Sequence, residues 1–447
     1  MSGTFSGGVH PDDAKDISKN CALEPMPLPA VVVLPVSQHL GAPAKVIVEK
    51  GRAVKKGDVV AEPGGFVSIP FHASISGTIK AIEQRYTPLG KKVLSVIIES
   101  DGEDRWSDGL NMHRDFASIS RDEKRSIVRD AGIVGMGGAA FPTHVKLSPP
   151  ENKPIDTVIL NGVECEPYVT CDYRLILERS RDIVEGFKII MEILNCSKGV
   201  IGIEGNKPDA IKIMREAVVD VRGITVEELK VKYPQGGEKQ LIYAVTGRRV
   251  PAGGLPMDVG CVVQNVGTAA AIYEAVMLNK PLIERAVTVT GHGVVSPRNV
   301  IARIGDSFAN LIAYAGGYTE KADKLIMGGP MMGLAQFTDD VPVTKGTSNL
   351  LVMEEHETRA DIQQPCISCA RCVDVCPMNL MPTTISLYVE HEHWDEVKEY
   401  GALDCNECGS CSYICPVKRK LVEYIRFGKA TLTALRAKEL AAKKAAE

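Results

Sequence analysis

Thr157-Val-Ile-Leu160-Asn161-Gly-Val-Glu164-Cys-Glu166-Pro167 reads as a short apolar strand that runs into a polar, acidic loop. A helical pattern follows over 173–194, then a second strand over 199–203, a helix over 209–218 and a third strand over 224–231. Further helices are predicted near 238–245 and 267–278. Strands and helices that alternate in this way predict a parallel sheet with helices on its faces, and ligands outside the carboxyl ends of the strands. Two loops fall at such ends: 161–167 and Gln235-Gly-Gly237-Glu238-Lys239.

Upstream lies Gly135-Met-Gly137-Gly138-Ala-Ala140-Phe141-Pro142-Thr143, with Lys146 close behind. Its letters satisfy a dinucleotide fingerprint, but that motif needs a strand before it. Arg121-Asp-Glu-Lys-Arg-Ser-Ile-Val-Arg-Asp-Ala131 reads instead as a helix. What remains is physical: small residues let backbone N–H groups approach a phosphate, with Lys146 as a countercharge. A glycine-rich turn without ligand is the alternative. Further upstream, residues 45–82 carry short period-two strands broken by Gly51, Gly57 and Gly77, which predicts a small β-sandwich. The phrasing resembles biotinyl and lipoyl carrier domains. The turn at Pro63-Gly-Gly65 offers no lysine to modify, so the unit reads as a scaffold.

Downstream, residues 284–334 read strand, strand, helix, strand, a β-grasp-like module. Then come Cys366-x2-Cys369-x2-Cys372-x3-Cys376-Pro377 and Cys405-x2-Cys408-x2-Cys411-x3-Cys415-Pro416, an internal repeat. Three thiolates at such intervals reach three corners of one cubane, and the fourth, expected at a helix start, points away. In two-cluster ferredoxins that fourth cysteine ligates the other cluster. The expected sets are therefore Cys366, Cys369, Cys372 with Cys415, and Cys405, Cys408, Cys411 with Cys376. Paired zinc sites are the alternative, but zinc cysteines come in pairs separated by a longer insert. Between the runs, Ile385, Val389, Trp394, Val397 and Leu403 predict a helical insert. His391 and His393 read as solvated. The tail from Leu421 reads as a helix with basic residues among Leu, Ile and Phe.

Composition narrows the function. The 447 residues carry 52 Lys+Arg against 56 Asp+Glu, a formal net charge of −4, which argues against a nucleic-acid surface. No apolar run approaches the ~18 residues of a membrane span, and the opening residues do not resemble a secretory signal. Eight of the thirteen cysteines lie within 366–415, which in a reducing compartment reads as metal ligation and not disulfides.

Two resemblances meet in these motifs. Gly135-x-Gly137-Gly138-Ala-Ala140-Phe141-Pro-Thr-x-x-Lys146, Asn161-x-x-Glu164-x-Glu166-Pro, Gly237-Glu238 and Asn265-Val-x-Thr268 resemble, in order, the FMN- and NADH-binding segments of the flavin subunit of complex I. The frame, Phe5-Ser-Gly-Gly-Val-His10-Pro at the start and the two cysteine runs at the end, resembles the C-subunit family of the Rnf complexes over nearly the whole chain. This chain differs from the complex I pattern at Val163, Gln264 and Gly237.

The resemblance implies a multidomain α/β fold. Residues 1–118 would form an N-terminal barrel-sandwich region, and 119–282 a Rossmann-like FMN/NADH domain with a parallel sheet. A soluble-ligand-binding β-grasp domain over 283–350 and a helical ferredoxin-like two-cluster domain over 351–447 would follow. Gly135, Gly137, Gly138, Lys146, Asn161, Glu164, Gly237, Glu238, Asn265 and Thr268 would hold FMN, and Phe141 and Glu166 would face the nicotinamide. The implied protein is an NADH:ferredoxin-type oxidoreductase subunit with FMN, NAD(H) and two 4Fe-4S clusters. It would sit peripherally on the cytoplasmic face of the membrane, with the other Rnf subunits as partners and ferredoxin reached through them. A cobalamin reductase of propanediol-utilising microcompartments, and a wiring subunit with an empty nucleotide site, are the competing readings.

Overall fold

A computed structural model describes residues 3–113, 119–358 and 362–446. Its centre is a four-stranded parallel sheet ordered Ile224–Leu229, Gly199–Glu204, Thr157–Asn161, Cys261–Asn265. Sheets covered on both faces carry near-continuous apolar strands, as Val158, Ile159, Leu160, Val200 and Ile201 do here. The fourth strand, Cys261–Asn265, is missing from the sequence expectation, although all five of its residues are buried. Five residues with three apolar side chains at one end give too short a period to separate strand from helix.

Helices Cys171–Ile193 and Val266–Leu278 pack together against this sheet. Their close crossing rests on Gly186: a Cβ there would lie 1.8 Å from the Ala269 carbonyl oxygen. The N-terminal barrel is two small antiparallel sheets. One contains Val31–Pro35, Lys92–Ser100, Gly77–Tyr86 and Ala53–Val54, the other Lys45–Val46, Val59–Glu62 and Phe71–His72. Val32, Ile69, Ile79 and Ile98 are wholly buried between them.

A six-stranded mixed sheet forms the third unit, and two boundaries shift with it. Its strand Asn349–Glu354 lies between Glu284–Thr290 and Ala322–Met327, so a boundary at 350 cuts a central strand. Its edge strand Leu23–Pro25 comes from the N-terminal region and pairs parallel with Arg298–Arg303. Earlier still, Gly8 N–H donates to the Val375 carbonyl and Val9 pairs with Tyr233. The first 25 residues therefore bind three other units instead of the barrel, because their hydrogen-bond partners lie there. Residues 114–118, where the first boundary was expected, lie outside the described residues.

The cysteine-rich unit is helical: Arg371–Asp374, Pro382–Glu390, Trp394–Glu399, Ser410–Ile414 and the terminal Leu421–Ala446. Among the described residues no helix is long and apolar enough to cross a membrane.

Candidate functional site

The glycine loop is clamped from both sides at one residue, Met136. Met136 N–H donates to the Thr268 hydroxyl at 2.9 Å. The Met136 carbonyl accepts from Arg285 Nη2 at 3.1 Å. Asn265 caps the helix that carries Thr268, accepting from the N–H groups of Gly267 (2.8 Å) and Thr268 (3.3 Å). Its Nδ2 donates to Asp172 at 2.6 Å. Gly135 N–H closes the loop on the Phe141 carbonyl at 2.9 Å.

Beyond this clamp, Gly137, Gly138 and Ala139 are exposed, and their N–H groups donate to no acceptor among the described residues. A Cβ on Gly138 would meet nothing within 4 Å, whereas one on Gly137 would lie 2.7 Å from Asn265 Nδ2. Lys146 is nearby but not free: its Nζ donates to Glu238 Oε1 at 2.7 Å and to the Val263 carbonyl at 3.3 Å. The expected countercharge is thus paired with another expected site residue.

The acidic loop joins the same region. Asn161 Nδ2 donates to the Gly236 carbonyl at 2.9 Å, tying 161–167 to the loop that ends in Gly237 and Glu238. Glu164 accepts from the N–H of Asp172 at 2.6 Å and of Tyr173 at 3.3 Å, at the start of helix Cys171–Ile193. Burial pushes its carboxyl up to about 7, against the pull of Lys15 at 3.9 Å.

Glu166 uses Oε1 to accept from the N–H groups of Met331 (2.8 Å) and Met332 (3.1 Å) in the six-stranded unit. Burial raises its carboxyl, and those two N–H groups and Tyr233 oppose the shift. Phe141 is half-buried. Sequence reasoning missed Tyr233, whose buried hydroxyl lies beside Glu166. The aromatic residue just before Pro234 and the 235–238 loop was the available signal. It also missed Arg285, to which no pattern pointed.

The cysteine runs repeat in structure as in sequence. Ser368 N–H donates to Cys366 Sγ at 3.4 Å, and Glu407 N–H to Cys405 Sγ at 3.3 Å. Leu380 N–H donates to Cys376 Sγ and Arg419 N–H to Cys415 Sγ, at 3.3 and 3.4 Å. Such N–H···S bonds are what stabilise thiolates that ligate iron.

Burial raises the Cys411 thiol, and Cys405, Cys408 and Cys376 raise it further. Burial raises Cys372, where the adjacent cysteines are Cys366 and Cys415. One correction concerns the fourth cysteines. Cys376 and Cys415 follow the short helices Arg371–Asp374 and Ser410–Ile414, and do not begin a helix. Cys366 and Cys369 are exposed, Cys405 is half-buried, and Cys372, Cys376, Cys408, Cys411 and Cys415 are buried. His391 and His393 are both exposed, as expected.

The set Cys376, Cys405, Cys408 and Cys411 lies against the parallel-sheet unit. Gln240 Nε2 donates to the Pro377 carbonyl at 3.2 Å, and its Oε1 accepts from Asn406 Nδ2 at 3.3 Å. Each partner directly follows a cysteine of that set. Cys408 also packs with Val9 and Tyr233.

These donors fit the groups the sequence implies. Three unpartnered N–H groups on an open glycine loop suit a phosphate. Gln264, 2% exposed with Nε2 unpartnered, offers a buried donor to a polar ring. Eight cysteines free of disulfides suit two cubanes.

Comparison with known proteins agrees unit by unit. The RnfC Barrel sandwich hybrid domain matches residues 3–103, and the Nuo51 FMN-binding domain residues 128–274. The SLBB domain matches 286–335 and the 4Fe-4S dicluster domain 365–419. Over 95% of its length the chain is 47% identical to the C subunit of the proton-translocating ferredoxin:NAD(+) oxidoreductase complex of Clostridium ljungdahlii, covering 93% of that protein. Over 98% of both chains it is 45% identical to the C subunit of the Na(+)-translocating ferredoxin:NAD(+) oxidoreductase complex of Acetobacterium woodii. The C subunit of the ion-translocating oxidoreductase complex of Rhodobacter capsulatus is 39% identical over 96% of this chain and 83% of that one. Among solved structures, an NAD+-reducing nickel–iron hydrogenase in its H2-reduced state has a TM-score of 0.48 and 17% identity, covering 71% of this chain and 63% of that one.

Proposed function

The chain belongs to the RnfC family, the C subunits of the ion-translocating ferredoxin:NAD(+) oxidoreductase complexes, and from that premise we propose how its parts divide the work. It is an electron-transfer subunit that carries FMN and iron–sulfur clusters and works with the other Rnf subunits, peripheral to the membrane. The relatives' names favour this over the propanediol-linked reductase. The cytoplasmic face suits it, because that is where a cell keeps its NAD(H).

Bound FMN supplies the exchange between paired and single electrons that nicotinamide and iron–sulfur clusters require of each other. The protein's own part is positional. Gly137 and Gly138 present N–H groups to the phosphate, while Gly135 closes the loop on the Phe141 carbonyl and Thr268 and Asn265 fix it. Asn161, Gly237 and Glu238 shape the opposite wall, Lys146 balances Glu238, and Glu164 fixes the turn into the long helix. Phe141 and Glu166 take the nicotinamide side, with Glu166 also holding 331–332 in place. The eight cysteines hold two clusters. Cys376, Cys405, Cys408 and Cys411 form the interior seat beside Gln240 and Tyr233, and Cys366, Cys369, Cys372 and Cys415 form the outer one. The contact of Gln240 with both interior cysteine loops carries this reading.

Anaerobic titration with NADH tests it. Flavin absorbance should bleach first and cluster absorbance follow in the same protein. Gln240→Leu should leave the bleaching intact and slow cluster reduction by about tenfold or more, the scale on which small misplacements of reacting groups act. A variant whose clusters follow at the native rate counts against the interior seat.

The loop has its own test. Valine at Gly138 meets open space in the protein, so stability should change by less than about 0.5 kcal/mol. FMN content should nevertheless fall sharply, because the side chain stands where the phosphate approaches. Full FMN occupancy in Gly138→Val would remove the loop from the site.

A further inference from the structure

Arg285 is a charged residue to which the function above gives no task. It lies in the strand Glu284–Thr290 of the six-stranded unit and is 4% exposed. Its donors reach three backbone carbonyls: Met136 at 3.1 Å, Ala286 at 3.2 Å and Lys345 at very short range. No carboxylate stands within ion-pair distance of it among the described residues. The acid that acts on it electrostatically, Asp172, spends Oδ2 on Asn265.

Burying a guanidinium without a counter-ion is costly, and proteins keep such an arrangement where an anion completes it. Here the carbonyl it grips belongs to Met136, between Gly135 and Gly137. With Thr268 holding the N–H of the same residue, the loop has little freedom. The next three N–H groups are exposed and without acceptors. Lys345, also wholly buried, donates to the Gly132 carbonyl at 2.5 Å, so a second buried side chain braces the chain just upstream.

We propose that Arg285 is a positioning residue for the phosphate of the flavin. It holds the Met136 carbonyl so that the following N–H groups face the cleft, and its unpaired charge favours an anion there. This rests on the FMN reading. A strand of the six-stranded unit thereby completes the phosphate seat of the parallel-sheet unit.

Flavin-depleted full-length protein titrated separately with FMN and with riboflavin, which lacks the phosphate, tests it. Arg285→Gln keeps a donor for Met136 and removes the charge. FMN affinity should fall by about tenfold, the scale of two unit charges about 12 Å apart at an effective dielectric of about 20. Riboflavin affinity should stay within about twofold of the native value on the same argument. Arg285→Lys, which keeps the charge without the planar fork, should fall between and also serves if the glutamine variant does not fold. Equal losses for both flavins would make Arg285 a structural tie only and overturn the proposal, as would no loss for either. If the native protein itself binds neither flavin, the FMN reading fails and the proposal with it.

Discussion

Cys415→Ala is expected to leave roughly four irons per chain where the native protein should hold about eight, and the cluster lost should be the one seated by Cys366, Cys369 and Cys372. The repeat predicts this crossing although Cys415 is only four residues from Cys411. The surroundings support it: Cys372 has Cys366 and Cys415 as cysteine neighbours, whereas Cys411 has Cys405, Cys408 and Cys376. The remaining cluster should keep its spectrum, because the N–H···S bonds from Leu380 and Glu407 are untouched. NADH should still reduce flavin and the surviving cluster, while delivery to a protein acceptor should fall to background. Cys376→Ala should do the reverse, sparing the outer cluster and isolating it from NADH. Loss of the interior cluster in Cys415→Ala would show that each run serves its own cubane.

A chain ended at Leu351 should fail to fold its six-stranded unit, while one ended after Thr358 should retain it. The cluster segment looks self-contained in sequence, and a cut near 351 looks harmless. In the structure that cut removes half of the central strand Asn349–Glu354. Val352 pairs with Leu325 and Met353 with Lys324, and the Val352 carbonyl accepts from Gly293 N–H at 2.9 Å. Val352 is 1% exposed, so its burial alone contributes about 1.5–3 kcal/mol. The lost ladder bonds add about 1 kcal/mol each. A deficit of that size is a large part of a typical domain's stability. The longer chain should bind FMN and bleach with NADH, fail with acceptors that need the clusters, and still reduce small dyes. Equal solubility and flavin content for the two chains would show that the strand's second half is dispensable.

These cases mark where the sequence was legible. Long periodic elements were read closely, as with the helix Cys171–Ile193, whose apolar spacing survives in its buried face. The cysteine spacing identified the dicluster segment because few other sites use four cysteines in such a run. The strand Cys261–Asn265 was lost because five residues hold no distinguishing period, and Asn349–Glu354 because both strands it pairs with lie well upstream in the chain. In the candidate site, the motifs point to residues that the fold brings together, such as Thr268 with the glycine loop and Asn161 with the 235–238 loop. No motif points to Arg285, because its contact with Met136 reaches a neighbouring unit, and no local pattern encodes that. The pairing of Lys146 with Glu238 was likewise invisible, as the two are joined only by the fold.

The N-terminal segment bears on how the molecule is built during synthesis. Gly8 leaves the ribosome long before its partner Val375 in the cysteine-rich unit. Val9 must likewise wait for Tyr233, and Leu23–Pro25 for Arg298–Arg303. This segment therefore completes its pairing only after the cysteine-rich unit has emerged, and Val9 then packs beside Cys408. A bulky tag fused ahead of Phe5 would weigh on cluster loading, although in sequence Phe5 lies far from the cysteines.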